Sequence, residues 1–468
     1  MTGIVSYGAY VPACRLPLAV IGGRAATDGG PERSAVAFDE DSITMAVAAA
    51  RDCLTGFEPA DIDALFFAST TSPYHEKQAA SLVARALGLR RDVRATDFGG
   101  SLRAGSGAIM SALDAVTAGT ARRVLVVIAD CRLAAPRSPL ERNLGDGAAA
   151  FLVGRESVIA EVEHTYSVAD EILDVWRADG DRFVKTWEDR FVVEEGYLRS
   201  LAEAVAGLLA KAGASAADFT RVALYAPDAR SHARAAKQLG FDGAQLQDAL
   251  FGRLGNCGAA FAPLLLVASL EAAAAGERVL MASYGDGAEV MALRVTDAVD
   301  ALAPPVGVSG SLANRRPARS YEAYLAARNL TPGEFDRRAG AGIAATVHHR
   351  DRDADIGFQG ARCRGCGTVH FPAQRVCYQC HARDDFDPVA LADGRGRVMS
   401  YTFDYFFPTP EPPLIAVMVE TDEACRVYLQ MTDASPDEMR CDLPVEFVFR
   451  RIHEVGGKPN YFWKCRPV

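Results

Sequence analysis

The residue set best spaced to hold a ligand lies near the C-terminus, where the chain reads Cys363-x2-Cys366-x10-Cys377-x2-Cys380. Two thiolate knuckles at that spacing close a tetrahedral shell around zinc and leave no position open for water or substrate. The remaining cysteines of the eleven are scattered singly, so the quartet is not a product of composition. Two structural cysteine pairs, or a redox dithiol, are the alternatives, and no secretory context favours disulfides. The reading is a structural Zn2+ held by Cys363, Cys366, Cys377 and Cys380. Such a metal marks a module boundary and says little about a reaction.

The bulk of the chain must supply any chemistry. Its 468 residues accommodate two or three domains, and 49% hydrophobic with 24% charged residues is ordinary for a globular protein. The opening MTGIVSYGAYVPACRL lacks a basic segment followed by a long apolar stretch, and apolar runs such as Leu264–Ala268 are too short to span a bilayer. A cytoplasmic protein with reduced cysteines and no membrane partner is expected. A net charge of −10 argues against a general nucleic-acid binder.

Over the first 300 residues helical and strand patterns alternate. Asp41-Ser42 precedes ITMAVAAARDCL, a helix with a cap; Ala64–Ser69 and Val124–Ala129 read as buried strands, and residues 76–87 as a helix. An internal repeat links RAGSGAIMSALDAVTAGTARRVLVVIA (103–129) with GAAFAPLLLVASLEAAAAGERVLMA (258–282). Each is a small-residue helix, then Ala-Gly, then Arg-Val-Leu opening a strand, as a duplicated half-domain would leave. From about residue 303 to 357 Pro, Gly and a polar run suit a tether with one short helix, SYEAYLAARNL. Beyond the zinc knuckles five segments, GRVMSYTFDYF, LIAVMVET, RVYLQMT, PVEFVFRRI and PNYFWKC, read as strands of a small barrel, most simply an OB-fold.

Three stretches of the long domain, ASTTSPYHEKQAASLVARALGL (68–89), DFGGSLRAGSGAI (97–109) and ALYAPDARSHARAAKQLGF (223–241), with LGNCGAA (254–260) and SYGDGA (283–288), resemble the hydroxymethylglutaryl-CoA synthase branch of the thiolase superfamily. The tail resembles the zinc-ribbon and OB-fold module that accompanies many microbial thiolases and synthases. The resemblance implies a five-layer αβαβα thiolase fold of two similar halves, followed by a rubredoxin-like zinc ribbon and a small β-barrel. The expected boundaries are 1–155 and 156–302 for the halves, 303–357 for the linker, 358–384 for the ribbon and 385–468 for the barrel. It also implies a homodimer through the strand of VLVVIAD, or a heteromer with another thiolase-like chain.

That family transfers acyl groups covalently from coenzyme A through a cysteine at a helix N-terminus, with a glutamate base and a His/Asn pair on the thioester carbonyl. This chain departs at three of those four places: Leu102 fills the cysteine slot, Thr70 the glutamate slot and Tyr225 the histidine slot, while Asn256 matches. Leucine cannot be a nucleophile. Carbon–carbon bond making or breaking by an aldol route needs no covalent intermediate, only a base for a β-hydroxyl proton and donors for an enolate oxygen. Thiolase-like retro-aldolases of steroid side-chain degradation resemble this arrangement: they lack the cysteine, look to tyrosine and pair with a zinc-ribbon/OB partner.

The candidate catalytic residues are therefore Tyr225, Asn256, Asp286 and His75, with backbone amides around Leu102 and Gly285 as oxyanion donors and Arg230 for a coenzyme A phosphate. Four of these have a plainer alternative: Tyr225 as a buried strand-end tyrosine, Asp286 as a turn carboxylate, His75 as part of a helix-starting His75-Glu76 pair, and Arg230 as a surface arginine. Ser101, Cys131 and Cys257 are weaker nucleophile candidates, and His232 reads as a surface residue. The expected substrate is an acyl-CoA or acyl-carrier-protein thioester. A non-catalytic thioester-binding homologue, or a partner subunit of an active thiolase, is the competing reading. Nucleic-acid binding by the tail is set aside, because residues 356–468 hold 13 Lys/Arg against 15 Asp/Glu.

Overall fold

A computed structural model describes residues 1–331, 344–455 and 457–468. The chain divides into two compact units. The first comprises 1–36, 41–84 and 89–321; the second comprises 37–40, 85–88 and 322–468.

The first unit is built on nine strands: β1 (Gly3–Tyr10), β2 (Ala64–Ala68), β3 (Arg94–Phe98), β4 (Val124–Cys131), β5 (Asp146–Gly154), β6 (Ala160–Ala169), β7 (Arg221–Leu224), β8 (Arg278–Tyr284) and β9 (Gly287–Val295). Their spatial order is β7-β8-β9-β6-β1-β5-β4-β2-β3. Cut between β6 and β1, this is one topology used twice. In the first half the third, second, fourth, fifth and first strands follow one another, with β2 parallel to β3 and β4, then β5 and β1 antiparallel. The second half repeats the order, its third strand reduced to a single parallel bridge between Val222 and Leu246. The two half-sheets join where β1 pairs with β6, Gly3 with Glu161 and Ile4 with Ala160.

Five helices make the layers: α1 (Ser42–Cys53), α2 (Ala80–Ala86), α3 (Ala104–Thr117), α4 (Arg199–Ala212) and α5 (Phe261–Glu271). α1 covers the first half-sheet and α4 the second, while α5 touches strands of both. α3 packs on the first half, and Ser106 on it donates to Glu289 of β9 at 2.5 Å. The two repeated small-residue helices, α3 and α5, thus form the middle layer. Gly105 shows why they are small: a Cβ there would stand 2.6 Å from the Ala259 carbonyl and 2.8 Å from Ile128. Close-packed interiors leave no room for it.

The cap read at α1 is present in full: the Asp41 carboxylate accepts from Ile43 and Thr44 amides, and the Asp41 amide donates to Thr44 Oγ1. The helix expected over 76–87 begins later, at Ala80, because the Asp97 carboxylate at the end of β3 takes the Ala79 and Ala80 amides at 2.6 and 2.8 Å. The dimer strand also needs correction. β4 is hydrogen-bonded on both sides, to β2 and β5, so it has no edge to offer another chain; the free edge of that half is β3. The expected linker is divided between the units: Arg316 and Pro317 pair with Cys14 and Arg15 in the first, and helix α6 (Ala345–Asp355) belongs to the second. Part of that linker, 332–343, lies outside the described residues.

In the second unit β10 (Arg395–Asp404), β11 (Leu414–Thr421), β12 (Arg426–Met431), β13 (Pro444–Val455) and β14 (Lys458–Pro467) close a barrel in the order β10-β11-β12-β14-β13. Phe358 stacks on Trp463, whose indole N–H donates to the Ile356 carbonyl, tying the ribbon's start to the barrel. Among the described residues no helix is long and apolar enough to cross a membrane.

Candidate active site

The parallel strands deliver their C-terminal ends to one place, where α/β sheets commonly hold ligands. Thr70 follows β2, Leu102 follows β3, Arg132 follows β4, Tyr225 follows β7, and Gly285-Asp286 follow β8. A cleft of ≈1290 Å3 opens there, lined among others by Thr70, His75, Leu102, Arg132, Asp174 and Asp286. Leu102 is buried at the turn that starts α3. Gly285 closes on that turn, since a Cβ there would meet Ser101 Oγ at 2.9 Å and Leu102 Cβ at 3.0 Å. The Gly285 amide donates to the Gly287 carbonyl at 3.0 Å and is already engaged.

Under Thr70 lies a carboxylate that sequence reading passed over. Asp130, fully buried at the end of β4, accepts from the Thr70 amide (2.7 Å), Thr70 Oγ1 (2.9 Å), Ser69 Oγ (3.0 Å), Thr71 Oγ1 (3.0 Å) and the Ala259 amide (2.8 Å). The Thr70 hydroxyl is therefore an anchor for the loop. Its carbonyl accepts from the Arg177 guanidinium on the opposite wall.

Tyr225 and Asn256 sit behind the cleft rather than on its surface. Tyr225 is buried among Tyr197, Tyr284 and Phe261, with ring centroids 5.8–6.3 Å from its own. Its hydroxyl is hydrogen-bonded to the Asn256 and Arg132 side chains. Burial pushes the phenol above its ordinary value, although Arg132 and Asn256 oppose that shift, so at neutral pH it holds its proton. Asn256 donates through Nδ2 to the Ala226 carbonyl at 2.8 Å and accepts through Oδ1 from the Gly258 amide at 2.8 Å. With Tyr225 as a further partner, its side chain is fully engaged inside the fold.

The other candidates are dispersed. His75 and Asp286 are exposed on the cleft; His75 lies in a turn before α2, not on the helix, and Asp286 has a left-handed backbone with φ 48°. Arg230 is exposed on the helix Ala229–Leu239 and does not line the cleft. His232, expected at the surface, is buried on that same helix, and burial lowers its imidazole. Ser101 lines the cleft. Cys257 is fully buried with its thiol pushed well up by that burial, which suits an inert core residue; Cys131 lies 3.8 Å from Thr71 Oγ1.

Sequence reading missed Asp130, Arg132 and Asp174. Arg132 is only 5% exposed, yet it lines the cleft and contacts Tyr225. Asp174 comes from the loop after β6, and burial raises its carboxyl above the usual range. The available signal was a charged residue directly after an all-apolar strand, VLVVIADCR.

In the second unit the four cysteine sulfurs lie within 4.8 Å of one another, with Cys363–Cys380 and Cys366–Cys377 each at 3.5 Å. Tetrahedral Zn–S bonds of ~2.3 Å place sulfurs ~3.8 Å apart, so the donor set and its spacing fit zinc.

Comparison with known proteins agrees with this geometry. Residues 209–296 match the family model of the 3-oxoacyl-[acyl-carrier-protein (ACP)] synthase III C terminal; residues 357–387 match the ChsH2 rubredoxin-like zinc ribbon domain, and 389–450 the ChsH2 C-terminal OB-fold domain. Hydroxymethylglutaryl-CoA synthase of Archaeoglobus fulgidus is 36% identical over 313 residues, 64% of this chain and 91% of that protein. The Methanopyrus kandleri synthase is 33% identical over 61% and 85% of the two chains. Among solved structures, an HMG-CoA synthase complexed with CoA superposes with a TM-score of 0.65 at 21% identity, covering 73% of this chain and 93% of that one. The 3-oxoacyl-[acyl-carrier-protein] synthase III of Aquifex aeolicus VF5 gives 0.58 at 22%, over 63% and 100%. The chain belongs to the hydroxymethylglutaryl-CoA synthase family of thiolase-fold proteins and carries a zinc-ribbon and OB-fold module of the ChsH2 type behind it.

Proposed function

We propose that the cleft binds a CoA or acyl-carrier thioester and makes or breaks a carbon–carbon bond by aldol-type chemistry without an acyl-enzyme. The observation that carries this reading is Leu102: an apolar, buried side chain begins α3 and lines the cleft where relatives are expected to load their acyl group. In the cleavage direction, a base takes the β-hydroxyl proton, the Cα–Cβ bond breaks, and its electron pair forms the thioester enolate, which is then protonated at Cα. Asp286 and His75, exposed on the cleft, are the candidates for accepting the first proton. Tyr225 keeps its proton and lies behind the cleft, where its contact with Arg132 suits a positioning role rather than that of base or direct donor. Condensation runs the same steps in reverse.

The engagement of Asn256 with backbone partners favours a second reading, a thioester-binding homologue without turnover. Incubation with a panel of β-hydroxyacyl-CoA compounds, with mass detection of the shortened acyl-CoA and the carbonyl fragment, separates the two. Product formation that Tyr225→Phe abolishes supports the first; full activity in that variant removes Tyr225 from the mechanism, and no product from any compound supports the second.

We infer that the four thiolates hold a structural Zn2+, since the set is closed and offers no site for substrate. Metal analysis should return one zinc per chain, lost in Cys377→Ser; a metal-free wild type would contradict the assignment.

A further inference from the structure

The histidine and asparagine expected on the thioester carbonyl have both changed their part in this chain. Tyr225 stands in the histidine slot, and its hydroxyl, buried behind the cleft, is hydrogen-bonded to Asn256 and Arg132. Asn256 is itself pinned: Nδ2 donates to the Ala226 carbonyl and Oδ1 accepts from the Gly258 amide, each at 2.8 Å. The Gly285 amide is committed to the Gly287 carbonyl at 3.0 Å. Two of the donors expected for an enolate oxygen are therefore engaged inside the fold.

Arg132 offers what they no longer do. It is 5% exposed, lines the cleft and follows directly on β4. Asp130, two residues before it, is taken up by Ser69, Thr70, Thr71 and the Ala259 amide. A guanidinium carries five N–H donors in a rigid fork, so donors remain beyond the one that the Tyr225 hydroxyl accepts. Tyr225 and Asn256, each anchored in turn, fix the side chain that carries them.

We propose that Arg132 is a catalytic residue of the aldol-type reaction, holding the thioester oxygen as the enolate forms, with Tyr225 and Asn256 as positioning residues behind it. The inference rests on the enolate chemistry proposed for the cleft and names the group that bears its charge. As the Cα–Cβ bond breaks, its electron pair moves into the bond between Cα and the thioester carbon. The carbonyl π pair moves onto oxygen, which takes a full negative charge. A fixed cation away from bulk water stabilises that oxygen more as the charge grows. Because arginine does not give up its proton, it holds the enolate and leaves protonation of Cα to another group. The polarising group has thus moved along the chain, from position 225 to position 132.

The test is exchange of Cα hydrogen for deuterium in acetyl-CoA and propionyl-CoA, read by mass in D2O with the full-length protein. There a base removes a Cα proton, the electron pair passes to the same oxygen, and solvent returns a deuteron, so no carbonyl fragment need be known. The wild type should exchange. Arg132→Gln should slow exchange at saturating ligand about 100-fold or more, with affinity by calorimetry held within about threefold. Arg132→Lys, which keeps the charge but not the fork, should slow it about tenfold, and serves as the readout if the glutamine variant does not fold. Undiminished exchange in either variant, or a loss confined to affinity and recovered at saturation, overturns the role of Arg132 and leaves the enolate reading standing. No exchange by the wild type with either compound overturns both.

Discussion

Two charged residues at the end of β4, two positions apart, meet opposite fates. Asp130 faces the loop under Thr70 and is saturated by hydrogen bonds from three side chains and two backbone amides. Arg132 faces the floor by Tyr225 and has a phenol for a partner but no carboxylate. A buried charge that the fold satisfies acts as scaffold; one that the fold leaves unsatisfied points to something the fold does not contain. Asp130 holds the loop carrying Thr70, whereas Arg132 lines the cleft beside Tyr225.

Breaking the scaffold side should have the largest effect. Asp130→Ala strands several buried donors at once and should lower stability by about 3–5 kcal/mol in denaturant titration; a loss below about 1 kcal/mol would show that Asp130 is not a hub. Gly258→Ala comes next. Its backbone sits at φ 58°, and the added methyl would run into Asp130 Oδ2 and Arg132 Cδ. A loss of about 2–3 kcal/mol follows, and an unchanged midpoint would mean the two charged side chains have room to part.

Tyr225→Phe removes one hydroxyl from a buried network and should cost about 1 kcal/mol, a small stability change set against the loss of turnover expected above. Arg132→Met should have the smallest effect on the ligand-free protein, with the melting temperature unchanged or raised, because an uncompensated charge is removed. A marked fall would place Arg132 with Asp130 as scaffold. A pH series sharpens the contrast through Asp174. Burial raises its folded pKa above the unfolded value near 4, so the native form holds more protons and stability from this group declines as pH rises from the unfolded value through the folded one. Asp174→Asn should flatten that decline in pH-dependent melting; an identical slope would mean the carboxyl is not protonated in that window.

The parts of the molecule that were legible in the sequence are those in which neighbours along the chain determine structure. The knuckle spacing placed four sulfurs together, the Asp41 cap opened α1 on its own side chain, and the five barrel strands appeared where alternation placed them. What escaped depended on partners far along the chain. α2 starts late because Asp97, 17 residues from Ala80, takes its first amides. β4 has no free edge because strand order is set by the whole half-sheet. His232 is buried by packing that its polar helix does not announce. The family resemblance located Leu102, Thr70, Tyr225 and Asn256 but not their neighbours. Cys131 drew notice for its thiol, while Arg132 beside it, whose surroundings are set by Tyr225 far along the chain, was passed over.

With Leu102 at the start of α3, this thiolase-fold site should work without acylating itself. Incubation of the intact protein with radiolabelled acetyl-CoA and longer acyl-CoA compounds, quenched during turnover and followed by intact-mass measurement, tests it directly. An unmodified chain mass and no label retained after denaturation are expected. A stable acyl adduct on Ser101, Cys131 or any other side chain would contradict it.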